Sequence, residues 1–349
     1  MLTYSQDLIS LKKGFTEILG PDPHHANLTK VDYTIAVLIG FIATLVDQLI
    51  VKIPGDVNYL GKYEQNGSGM TEWLKSKGVN EDGKLNLFFS WMEKHSKVSY
   101  DASTSNAFVD YEGDVSGFYP KNHRLMSLGH DPLFGLIFGM IDIYNGSLTL
   151  IDKKGAIHKI PIDKFQDTPL TDKIFAPILW FGHILSDVCT KMGIPVPGWG
   201  FTQLLQFGKF GEKDRTFADL ARWMYVEGYD LRHFITMGIV PGIIQIITRI
   251  YMNLTRKKED TQIFLYEKSL SEIHHSIRLQ KLLFISHSIA TSGNAIKIML
   301  HQGNPLAINI NEILALVKQS IQMSQITMRD KTTERVIRNR KSIDQGWEL

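Results

Sequence analysis

Residues 29–52, TKVDYTIAVLIGFIATLVDQLIVK, decide the fold class. Thr29 stands three residues before Asp32, the spacing of a capping box, in which each side chain satisfies the other's backbone N–H at a helix start. From residue 33 to residue 50 nearly every position is apolar and none is proline, so the stretch reads as one long helix. It is almost long enough to cross a bilayer, but Asp47 interrupts it. Two further apolar runs repeat the pattern: residues 234–251 contain Pro241 and Arg249, and residues 174–189 contain His183 and Asp187. An ionisable residue inside each run fits either buried helices of a large core or helices packed around a polar site in a membrane. A mean hydropathy close to zero favours a soluble or peripheral protein.

Outward from that helix, Pro54, Gly55, Gly61, Gly67 and Gly69 mark a loop, and residues 71–77 and 85–95 read as short helices. A long polar connection over 99–121 delivers the chain to His123, and a loop of that length is expected to cover the mouth of the cavity holding His123. Asp131-Pro132 reads as an N-cap followed by proline at the first helical position, and Asn145-Gly146 closes that helix. The alternation in SLTLIDKKGAIHKIPI, residues 147–162, about an Asp-Lys-Lys-Gly turn predicts a β-hairpin. Pro177 opens the helix of His183 and Asp187, GIPVPGWG stops it, and helices resume near Phe217, Phe234, Thr261 and Asn311. The predicted fold is mainly α: a multi-helix globular bundle with one small β-hairpin. Its expected organisation is a helical body over 1–255, a C-terminal helical part over 256–328 packed on it, and a mobile charged tail over 329–349.

With 349 residues, 44% hydrophobic and 21% charged, the chain can bury a large core, so disorder is excluded as a description of the whole. Lys and Arg total 38 against 36 Asp and Glu, which leaves no global field for nucleic acid or anionic lipid. The basic runs at 255–258 and in RVIRNRK are short and lack interleaved aromatics, so a nucleic-acid partner is not expected. A single cysteine, Cys189, forms no disulfide within the chain and points to a reducing, cytoplasmic compartment. The first residues lack the basic-then-apolar order of a secretory signal. Walker A, Gly-x-Gly-x-x-Gly and Gly-x-Ser-x-Gly signatures are missing, which leaves ATP and serine-nucleophile chemistry without support.

His183 and Asp187 are four residues apart, so a helix sets them on one face at metal-ligand or hydrogen-bond separation. Their surroundings are apolar, and a buried carboxylate needs a partner or a cation. Either a ligand pair or a structural His-Asp hydrogen bond satisfies this. Upstream, YPKNHRLMSLGHDPLFG gathers His123, Arg124, His130 and Asp131 around a short turn. Arg124 reads as an anion clamp or as the partner of Asp187 or Asp47. Asp47, deep in its apolar helix, is a further ligand candidate. His287, Thr291 and Asn294 form a polar stripe that reads first as a helix–helix hydrogen-bond seam and second as a ligand-binding wall.

Two of these stretches resemble a family. NHRLMSLGHDP is similar to a His-Arg-x-x-Thr-His element, and WFGHILSDVCTKMGIPVP to a Gly-x-x-Ser-His-x-x-x-Asp-x-x-Thr-x-x-Gly element followed by proline. Both belong to the bacterial inner-membrane, metal-dependent hydrolase-like family described as LexA-binding (YdjM-like). The resemblance covers about a fifth of the chain, with nothing in the C-terminal third. It implies that His123, His130, His183 and Asp187 are metal-site positions, and that Thr190, Gly193 and Pro197 hold the connection after the helix. The chain departs from the pattern in the wider spacing of His123 and His130, in Gly129 where the family has threonine, and in Gly182 where it has serine. By this resemblance the chain is expected to be a metal-dependent hydrolase using a divalent metal, zinc, on a phosphoester, with a lipid headgroup or nucleotide as the small-molecule substrate. Asp187 would then be ligand or base, Arg124 would serve the reaction, and association with the inner membrane surface is implied. The competing expectation is a non-enzymatic membrane-peripheral or partner-binding helical protein, with the His/Asp pairs as buried structural networks.

Overall fold

The computed structural model describes residues 28–59, 62–65, 73, 76, 87–101, 115, 117–119, 121–190, 192–211, 214–255 and 265–347, with the backbone alone described at 56–59, 62–65, 265–276 and 329–347. In chain order the helices are α1 (Lys30–Val46), α2 (Leu87–His95), α3 (His123–Met126), α4 (Gly135–Asn145), α5 (Leu170–Ile174), α6 (Ala176–Val188), α7 (Phe217–Val226), α8 (Leu231–Met237), α9 (Ile239–Leu254), α10 (Leu265–Leu300) and α11 (Ile310–Trp347). The fold is mainly α, as predicted. The expected hairpin is present as β3 (Ser147–Ile151) against β4 (Ile157–Pro161). A second hairpin, β1 (Asp56–Tyr59) against β2 (Lys62–Gln65), occupies a stretch read as a loop because its glycines and proline masked the alternation. The short helix expected at 71–77, and most of the loop expected over the site at 99–121, lie outside the described residues.

The chain divides into two compact units. One comprises Met1–Asp47, Ile239–Ile296 and Asn309–Leu349; the other comprises Gln48–Gly238 and Lys297–Ile308. This differs from the organisation expected from sequence order, because α1 belongs with helices more than two hundred residues downstream. Asp32 shows why: besides completing the capping box with Thr29, its carboxylate accepts from Tyr251 Oη at 2.7 Å and pairs with Arg278. Small residues let the helices approach. A Cβ on Gly40 would lie 2.7 Å from Ile289 Cβ, and one on Gly293 would collide with Thr44. The backbone of α11 is helical to Trp347, so the helix runs on through residues 329–347.

The polar stripe on α10 is a helix–helix seam in this unit. His287 Nδ1 lies 2.8 Å from Glu312 Oε1, and Asn294 Nδ2 donates to Asp47 Oδ2 at 2.7 Å. Asn309 Nδ2 donates to the other Asp47 oxygen at 2.9 Å. Asp47 is therefore buried as expected, but its carboxylate is held by two amides. Glu312 completes the seam, and burial holds its carboxyl above the ordinary carboxylate range.

The second unit packs α4 and α6 with the β3–β4 hairpin over a core that includes Tyr100, Met126, Ile143, Leu148, Leu150 and Trp180. Gly146 ends α4 with φ of +58°, a conformation that L side chains rarely adopt, and the chain turns there into β3. Asp142 stitches helix to hairpin by accepting from Ser147 Oγ, Thr149 N and Thr149 Oγ1 at 2.7–2.8 Å. Ser127 bridges to Leu150, which fastens the segment carrying His123 and His130 to β3.

The seam makes a prediction. Asp47→Ala strands the buried amides of Asn294 and Asn309, each at a cost of about 1–3 kcal/mol, so chemical denaturation is expected to show a loss of about 2–4 kcal/mol. Bound metal is expected to stay unchanged in the same variant; a fall in metal content with the fold intact would return Asp47 to the site.

Candidate metal centre

Three segments of the second unit converge. The one-turn helix α3 and the 3₁₀ turn Leu128–His130 carry His123, Arg124 and His130; α6 carries His183 and Asp187; and Tyr100 and Asp101 follow α2. One helical turn separates His183 from Asp187, so both project from the same face of α6. His130 is fully buried, His183 is 3% exposed and Asp187 is 4% exposed.

His183 Nε2 faces His130 Nε2 at 3.2 Å, and Asp187 Oδ2 lies 3.4 Å from the first and 3.6 Å from the second. A tetrahedral ion with bonds of about 2.0–2.1 Å sets its ligand atoms about 3.3–3.4 Å apart, so a point about 2.0 Å from all three atoms exists within this triangle. Among the described residues, Asp187 Oδ2 has no hydrogen-bond partner, and neither has His130 Nδ1. An orphaned buried carboxylate oxygen beside two imidazole nitrogens fits a cation. Burial drives the pKa of His130 well below that of an ordinary imidazole, and His183, His123 and Arg124 add to the effect. The ring is therefore neutral, the protonation state that a metal ligand requires.

Arg124 holds the other side of Asp187. Its Nη2 donates to Asp187 Oδ1 at 2.9 Å, and its Nη1 donates to Thr190 Oγ1 and, at 3.3 Å, to Gly193 O. Burial lowers the pKa of the guanidinium, but the charge of Asp187 together with Tyr225, Asp101 and Glu93 outweighs it and the pKa rises. Arg124 thus aims Oδ2 at the histidines. Of the two roles weighed for it, the structure places it as the partner of Asp187, not of Asp47. Thr190 Oγ1 also donates to Asp187 O at 2.8 Å, and Gly193 O accepts from Tyr225 Oη at 3.0 Å, so both close the connection after α6. Asp131 is not the N-cap expected for α4, which starts at Gly135 with Phe134 at its N-cap; it holds the turn before that helix, with Oδ1 accepting from Leu133 N and Phe134 N and Oδ2 from Gly198 N.

The expected set of four ligands divides in two. His130, His183 and Asp187 form one group, while His123 falls with His130 and Asp101 in another whose donor atoms lie within 4.8 Å of one another. Asp47, proposed from sequence as a further ligand, is not part of either, since Asn294 and Asn309 occupy its oxygens. Asp101 and Tyr100 were not legible beforehand. Asp101 sits 22 residues before His123 with no motif spacing, and Tyr100 is an ordinary aromatic in sequence whose ring packs edge-on against His130 and His183, at 5.1 and 5.5 Å between centroids.

Both glycines that depart from the family pattern have steric causes. A Cβ on Gly129 would lie 2.6 Å from Tyr100 Cγ, and one on Gly182 would collide with Ser96 Oγ. Ser96 already fills the space that a serine at 182 would take. Gly182→Ser is therefore expected to cost about 1–3 kcal/mol by overpacking next to His183. Adding Ser96→Ala should restore most of that loss in a thermal-denaturation double-mutant cycle; strict additivity would mean that the two side chains do not compete.

Comparison of the chain with protein-family models, with curated proteins and with solved structures gives no match. The family resemblance rests on the two motifs alone.

Proposed function

We propose that the chain is a metal-dependent hydrolase of phosphoesters, with a zinc-class divalent cation held by His130, His183 and Asp187. The observation that carries this reading is the triangle of donor atoms, whose edges of 3.2, 3.4 and 3.6 Å match those around a tetrahedral ion. Such a cation supplies Lewis acidity, polarising a phosphoryl oxygen and making water acidic enough to attack near neutral pH. The chain's own residues prepare the place. His130 and His183 present ring nitrogens, Asp187 presents Oδ2, and Arg124 is a positioning residue that binds Oδ1 and keeps the carboxylate from rotating.

Exposed apolar helix faces support a lipid headgroup as substrate at a membrane surface. Leu136, Ile137 and Ile141 on α4, and Ile178 and Phe181 on α6, present their side chains to solvent on the helices that frame the site. Patches of this kind mark contact with a membrane or a partner. By length and composition alone, Lys30–Val51 and Leu231–Leu254 are also apolar enough to cross a membrane, which allows membrane association.

A structural reading has its own support in the Arg124–Asp187 pair, which already neutralises the buried carboxylate. Under either reading Asp187→Asn leaves a buried guanidinium uncompensated and destabilises the protein, so that variant does not separate them. His183→Gln does. On the hydrolase reading, the purified full chain binds Zn²⁺ and hydrolyses bis(p-nitrophenyl) phosphate, and His183→Gln removes the ion held by the triangle and lowers the activity by about tenfold or more while the metal-free melting temperature changes little. A wild-type chain that binds no metal and has no such activity overturns it.

A further inference from the structure

The second group of donors is not needed by the triangle. His123 Nε2 and Asp101 Oδ1 stand 3.9 Å apart, with side chains only 10% and 11% exposed. That separation is beyond hydrogen-bond reach of one atom for the other, yet two ligands of one cation can span it when the angle between their bonds is wide. His130 belongs to this group as well as to the first.

An imidazole nitrogen has one lone pair, so a ring shared by two cations must use both of its nitrogens. Nε2 of His130 lies in the triangle with His183 and Asp187. Its Nδ1 remains, buried and without a hydrogen-bond partner among the described residues. Metal-bound histidines ordinarily donate their second N–H to a carboxylate, carbonyl or water, and this nitrogen donates to none of the described groups.

We infer that Asp101, His123 and His130 form a second divalent-cation position, joined to the first through the His130 ring. The inference rests on the proposed metal centre and extends it to two ions. A second ion would be held there by Asp101, His123 and the remaining nitrogen of the His130 ring, whose proton would pass to solvent. The position is wider than the first and is the more exchangeable of the two. Its chemical consequence is charge. Asp101 and Asp187 are opposed by Arg124, so two divalent cations leave the cluster strongly positive, which selects a substrate that carries an anionic oxygen group, as a phosphoester does.

The test is Zn²⁺ stoichiometry in the full chain, stripped with chelator, reloaded with Zn²⁺ and measured by elemental analysis. Wild type is expected to hold about two equivalents, and Asp101→Asn and His123→Gln about one each. His183→Gln should also hold about one, and that one should be lost when Asp101→Asn is added. Circular dichroism of each variant reports folding. If Asp101 only orients a histidine, Asp101→Asn keeps the wild-type stoichiometry and the second position is overturned. A wild type holding one equivalent, sensitive to His183→Gln and insensitive to Asp101→Asn, overturns the second position and leaves the first standing. This reading of wild type is decisive even if a variant fails to fold. No bound Zn²⁺ in wild type removes both.

Discussion

The carboxylate of Asp187 sets the terms for the site. It sits in an apolar helix, buried, and a charge in that position must be compensated on every side that water cannot reach. Arg124 compensates one oxygen, at 2.9 Å. The other faces two imidazole nitrogens and accepts no hydrogen bond from the described residues. Much of the local architecture serves this arrangement. The short α3 turn delivers Arg124 and, one 3₁₀ turn later, His130. The Ser127–Leu150 bridge anchors that segment, and Thr190 and Gly193 hold the guanidinium from the far end of α6.

How much of this was legible in the sequence depended on whether the signal was local. The helix of α1, with Thr29 and Asp32, and the turn at Asn145-Gly146 were readable because capping and left-handed turns are decided by neighbours in the chain. So was the shared face of His183 and Asp187, which helical geometry dictates. The turn at Asp131-Pro132 was readable for the same reason, although α4 itself starts only at Gly135. The placement of Asp47 was not. Its place in an apolar helix was apparent, but the amides of Asn294 and Asn309 that satisfy it come from more than two hundred residues away. Asp101 failed in the opposite direction: nothing nearby in sequence distinguishes it, and only the fold brings it to His123.

The two motif departures at Gly129 and Gly182 show how packing constrains a site. Tyr100 and Ser96 fill the volumes where larger residues would stand, and both come from the segment after α2. That segment thus packs directly against the positions that precede His130 and His183, and the Tyr100 ring meets both histidines edge-on. Locked rotamers of this kind are what keep metal ligands within a few tenths of an ångström of a bonding geometry. The exposed apolar side chains of Ile178 and Phe181 lie on α6, the helix that also carries His183 and Asp187.

The most direct test of the metal centre is X-ray absorption at the zinc edge of the zinc-loaded protein. The account predicts a shell of nitrogen and oxygen ligands at about 2.0–2.1 Å, with the outer-shell scattering of imidazole rings. A shell dominated by sulfur, at about 2.3 Å, or a spectrum without imidazole scattering would contradict it, since the cation would then be held somewhere other than His130, His183 and Asp187.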